Sequence, residues 1–203
     1  MPPTFRPPVP GSRPFSPARR RLSAAVAAAL AAAVVPLPGD ARADVIPVES
    51  ADVRVEEGDV LLTAQFAFSF NPTLEEALQR GIPLYFVLDV DIVRPRWWWI
   101  DEKVAQSSVS YRVSWQPLTR QYRVASGLLS QSFDTLAEVE RLIGRVNSRV
   151  VARAADLERG TRYEAVVRLR LDVNQLPKPF QVNALASRDW QLASEPRRLP
   201  FVA

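Results

Sequence analysis

Arg94-Pro95-Arg96-Trp97-Trp98-Trp99-Ile100-Asp101 gathers the residue types best suited to binding in this chain. Three adjacent indoles offer flat apolar faces with polar N–H edges, the make-up of interface hot spots. Arg94 and Arg96 are placed to stack on those rings or to pair with a partner's carboxylate, and Asp101 adds an acceptor. Neighbours on a strand point to opposite faces, so Trp97, Trp98 and Trp99 cannot all enter one core. Three uses are open to them: packing under loops or against a helix, a ledge for a sugar ring, peptide or protein, or a dip into a membrane interface. Asp101 and Glu102 weigh against an anionic lipid surface.

Elsewhere the chemistry is thin. Pro177, Lys178 and Pro179 predict a rigid extended segment that joins two strands and offers a secondary contact surface. Asp89 and Asp91 fall on one strand face, a spacing that two hydrolytic carboxylates could use and that a solvated face also produces. The chain has no histidine and no cysteine, which removes the usual nucleophilic triads, thiol redox chemistry and Cys/His metal sites. No glycine-rich phosphate loop and no calcium-loop pattern is present. The expectation is a protein without catalytic residues, metal or cofactor.

The ends say where such a protein would work. Residues 1–22 are proline-rich and carry Arg6, Arg13, Arg19, Arg20 and Arg21 without an acid. An apolar run of small residues follows, then Ala41-Arg42-Ala43, an A-x-A end. Basic region, short apolar region and small-residue site predict a cleaved secretory signal over residues 1–43, and export to the periplasm. Pro36 and Pro38 close an apolar run too short to span a bilayer, so no membrane span is expected after cleavage. Of 26 basic and 22 acidic residues, six and one lie in that segment, which leaves 20 and 21 in residues 44–203. The basic character belongs to the signal, and no footprint for nucleic acid remains. Residues 44–203 are long enough for one domain with a real core.

Period-two patterning must position these residues. Val60, Leu62, Ala64, Phe66, Phe68 and Phe70 share one face; so do Leu84, Phe86, Leu88, Val90 and Ile92. Val109, Tyr111, Val113 and Trp115 alternate with polar residues, as do Tyr163, Ala165, Val167, Leu169 and Leu171. Such alternation predicts antiparallel strands with one buried face. Shorter strands are expected at 49–58, 119–126, 128–133 and 180–194, with hairpins at Gly58-Asp59 and at Pro117-Leu118-Thr119. The even phase before the tryptophans and the odd phase after them disagree, so a turn or bulge must intervene, most naturally at Pro95. Asn71, Pro72 and Gly81 bound one short helix. Thr135 and Glu138 open a second, expected to run from Asp134 to Gly160 on a stripe of Leu136, Val139, Leu142, Ile143, Val146 and Val150. The fold class is mainly β: an antiparallel, sandwich-like domain of about eight strands with two amphipathic helices packed on it. The tail from Ser194 is expected to be loosely attached.

Four stretches in order, "RPRWWWID", "YRVSWQPLTRQYRV", "LDVNQLPKPFQVNAL" and "RDWQLAS", follow an alanine-rich signal. In that arrangement the chain resembles an uncharacterised family of exported proteobacterial proteins, described as a domain of unknown function or a proline-rich signal-peptide protein. The family resembled has no assigned catalytic residues, so the resemblance supplies no site. It implies a neighbourhood of envelope signalling, with a membrane sensor kinase as a partner. The functional expectation is a non-enzymatic periplasmic adaptor that contacts another envelope protein through Arg94, Arg96, Trp97–Trp99 and Asp101. The alternative is a glycan- or lipid-binding module using the same rings.

Overall fold

The computed structural model describes residues 45–98 and 100–203. The expected signal segment and Trp99 lie outside them. The described chain is mainly β, with nine strands in two antiparallel sheets. Strands β1 (Val48–Glu56) and β2 (Asp59–Phe66) form the first expected hairpin, which turns at Glu57 and Gly58 with positive φ at both. Helix α1 (Pro72–Gln79) leads to β3 (Leu84–Arg94) and β4 (Glu102–Gln116). The second hairpin joins β4 to β5 (Gln121–Ser126), and β6 (Leu129–Phe133) precedes helix α2 (Leu136–Gly144). Then follow β7 (Arg145–Arg153), β8 (Arg162–Leu171), helix α3 (Lys178–Ala186) and β9 (Arg197–Val202). The larger sheet runs β6-β5-β4-β3-β8-β9 and the smaller β1-β2-β7.

The faces assigned by alternation meet in one core. Val60, Leu62, Ala64 and Phe66 of β2 join Leu84, Phe86, Leu88, Val90 and Ile92 of β3 and the matching row of β8. Each fully buried large apolar side chain contributes about 1.5–3 kcal/mol. Helix α1 begins as its sequence dictates: Asn71 Oδ1 accepts from the Leu74 N–H at 2.9 Å, Pro72 needs no donor, and Leu74, Ala77 and Leu78 are buried. At α2 the Glu138 carboxylate accepts from the Thr135 N–H at 3.2 Å, one half of the capping box. Phe68, Phe70 and Phe86 pack edge to face, with centroids 4.8–5.5 Å apart.

Several segments depart from expectation. The second helix stops at Gly144, and residues 145–153 form β7 against β2. Two bulges cause the misleading pattern. Leu62 pairs with Arg149 and Ala64 with Val146, while Val60 pairs with Ala152 and Leu61 with Val150, so extra residues interrupt the alternation. Val146 and Val151 end up buried and Val150 exposed, so the i, i+4 spacing of Val146 and Val150 that imitates a helix face joins two residues that share no face. Ser148 sits at φ 43° in the first bulge, its N–H donating to Thr63 Oγ1 at 3.3 Å. The proline segment is not extended: Pro177 precedes α3 and Pro179 lies in its first turn, where a missing N–H costs nothing. The strand expected over 180–194 is therefore helix and a short 3-10 turn, with Trp190 buried. The tail is fixed. β9 pairs with β8 and buries Leu199 and Phe201, and Pro200 is tolerated because β9 is an edge strand.

Gly144 marks the helix-to-strand junction. A Cβ there would lie 2.7 Å from the Phe66 carbonyl oxygen, a backbone atom that cannot step aside. Gly144→Ala is expected to destabilise the protein by about 1–3 kcal/mol, read by thermal or denaturant unfolding. An unchanged midpoint would show that the junction is not closely packed.

Candidate functional site

The β3–β4 hairpin carries Trp97 and Trp98 at its tip. Its strands pair from Leu84↔Val113 to Ile92↔Ala105, then shift by one residue so that Val93 faces Lys103 and Arg94 faces Glu102. The bulge falls at Val104, and residues 95–101 form the loop. Turn and bulge together reconcile the two phases that the sequence sets in conflict. Trp97 is 89 % exposed, Trp98 65 % and Ile100 81 %, so neither described ring packs under a loop or against a helix. The two rings meet edge to face at 4.7 Å and 81°.

Below this apolar tip lies a collar of ion pairs. The Arg94 guanidinium donates to Glu158 at 2.8 Å and to the Tyr163 hydroxyl at 3.1 Å, and stands 5.5 Å from the centre of the Tyr163 ring. Tyr163 is itself fully buried, and its hydroxyl also accepts from the Glu158 N–H at 3.1 Å. Those bonds from Tyr163 and Glu158 raise the Arg94 pKa further above its ordinary value. Arg96 pairs with Glu102. Arg198, on β9, bridges Asp101 at 2.8 Å and Glu164 at 3.0 Å. The bond from Arg198 holds the Asp101 carboxyl below its ordinary range, with a smaller contribution from the Arg96 backbone. The structure thus brings Arg94, Arg96 and Asp101 together with Trp97 and Trp98; Arg94 and Asp101 brace the loop on β8 and β9, and Arg96 ties it to the start of β4. Arg198, Glu158 and Glu164 escaped the sequence reading, because their ties to the loop exist only in the folded chain: Arg198 and Glu164 through strand pairing, Glu158 from the segment before β8.

The remaining candidates lie elsewhere. Pro177, Lys178 and Pro179 are exposed at the start of α3. Asp89 accepts from Ser108 Oγ and from Arg170, both at 2.9 Å, and Asp91 pairs with Lys103 at 2.9 Å, so each carboxylate has a basic neighbour across the strands. Among the described residues no three acidic side chains gather in a metal-binding group, and no helix is long and apolar enough to cross a membrane.

A family model for a domain of unknown function, DUF4390, matches residues 43–200. The chain belongs to this family. Neither a curated protein nor a solved structure matches it. The DUF4390 match runs through β1 to β9, so the exposed tip and its ionic collar both lie inside the family domain.

Two outcomes follow from the geometry. Trp97→Ala and Trp98→Ala should each leave stability within about 0.5 kcal/mol while lowering the acrylamide-quenchable emission. Trp190→Ala should cost about 3–5 kcal/mol, since that ring is buried. A large stability loss at Trp97 or Trp98 would mean the ring is a packing element. Because Asp101 titrates below its ordinary value in the folded chain, the Arg198 bridge stabilises above the unfolded carboxyl pKa and is lost as pH falls through the lowered folded value. In Arg198→Ala the Asp101 carboxyl resonance should titrate at higher pH than in the parent; an unchanged midpoint would exclude the bridge in solution.

Proposed function

We propose that this protein is a non-enzymatic adaptor of the bacterial envelope, and that the β3–β4 tip inserts into an apolar cleft of another envelope protein. The exposure of Trp97, Trp98 and Ile100 on a braced loop supports this reading most strongly. Water gains nothing from two bare indoles, whereas burial in a partner yields hot-spot energies. Bracing lowers the entropy lost on docking. The secretory pattern of residues 1–43 supports a periplasmic location, and the family resemblance suggests the periplasmic part of a membrane sensor kinase as the partner.

The same rings suit a lipid or glycan less well. Arg94, Arg96 and Arg198 already have carboxylate partners, so the collar offers no spare cation to an anionic headgroup. Rings at 81° share no plane on which a sugar could lie.

A photo-crosslinking residue at position 98, in cells, should give a discrete adduct with one envelope protein. Once that partner is purified, Trp98→Ala should weaken binding by roughly 2 kcal/mol, about thirtyfold. No adduct at positions 97 or 98, together with a blue shift of tryptophan emission on phospholipid vesicles, would replace the adaptor reading with a lipid-binding one.

A further inference from the structure

A second place, away from the tip, is equipped to hold a ligand. A cavity of about 210 Å³ opens between β4, β5, β6, α2 and β7. Val124 and Leu142 form apolar wall, and the largely exposed Leu129 stands at the mouth. Tyr111 and Arg149 supply polar lining, together with Ser126, Ser130 and Gln131. Among the described residues the Arg149 guanidinium has no hydrogen-bond or ionic partner, and its Nε is shut away from water with nothing to donate to. A buried N–H left in that state is costly unless an acceptor completes it. The Tyr111 hydroxyl has its pKa raised by burial, with Arg149 near enough to pull it the other way, so it remains a neutral donor. A planar fork of donors and a phenol O–H thus share a small pocket with aliphatic walls.

We propose that this cavity binds a carboxylate carried on a short apolar body, with Arg149 gripping the carboxylate and Val124, Leu129 and Leu142 covering the hydrocarbon. The guanidinium fork matches the two oxygens of a carboxylate, and the volume lies below the range that holds drug-sized ligands. Such a group is found on a free short-chain acid and on the C-terminal residue of a peptide ending in leucine or valine. The proposal stands independently of the adaptor reading, since no residue of the tip takes part.

The test is NMR titration of the purified protein with hexanoate, hexanamide, and an N-acetylated tetrapeptide ending in leucine, as free acid and as amide. The free acids should shift the resonances of Tyr111, Leu142 and Arg149, and the amides should bind at least tenfold more weakly. Arg149→Gln should abolish the preference for acids without lowering the unfolding midpoint, because the guanidinium has no partner to lose. Tyr111→Phe should weaken acid binding several-fold. Tighter binding of the peptide acid than of hexanoate assigns the site to a chain terminus; the reverse assigns it to a free acid. Equal binding of acids and amides, no shifts with any probe, or a sharp fall in the midpoint of Arg149→Gln would each overturn the proposal.

Discussion

Everything in the molecule hangs on β3. It is hydrogen-bonded on both edges, to β4 and to β8, and its inward row from Leu84 to Ile92 is at most 1 % exposed. Val87 and Val93 are buried on the other face as well. A strand so enclosed has one register, because a slip of one residue would exchange the apolar row for Tyr85, Asp89 and Asp91. Fixing β3 fixes where Arg94 emerges, and Arg94 emerges over Tyr163, which belongs to the next strand of the same sheet. The tip is therefore aimed by the core rather than by its own loop.

The collar works through connection, not through strength of single bonds. Exposed ion pairs contribute little one at a time. Here Arg94, just before the loop 95–101, reaches the segment before β8, and Arg198 reaches across from β9 to Asp101, the last residue of that loop. Loop motion must break both together. The outcome is an apolar tip whose polar neighbours are occupied with one another, so shape and apolar contact decide what it meets.

Alternation disclosed the strands wherever it ran unbroken, and the caps at Asn71 and Thr135 disclosed where helices begin. The reading failed where a local device broke the period. Two bulges in β7 turned a strand into an apparent helix, Pro200 hid an edge strand, and Pro-Lys-Pro concealed the first turn of α3. At the tip, the conflict of phases around Pro95 was visible in the sequence and had the stated cause. Which rings were bare was not visible, because exposure depends on where the loop stands relative to β8 and β9. Arg149 was less visible still. Assigned to a helix, it belonged to a solvated polar face; on β7 it turns toward Tyr111, and only strand pairing reveals that.

The two candidate sites share one electrostatic property. The chain has no histidine, the side chain whose ordinary pKa lies near neutrality. At the tip, Asp101 is held below its usual range and Arg94 above its own. At the cavity, Tyr111 is pushed up and faces an arginine. Each of these groups keeps one charge state across the mildly acidic to mildly basic range. Sites built from indole, guanidinium, phenol and a salt-bridged carboxylate therefore present the same charges throughout that range. One strand serves both places: β4 begins beside the tip at Glu102 and passes the cavity at Tyr111.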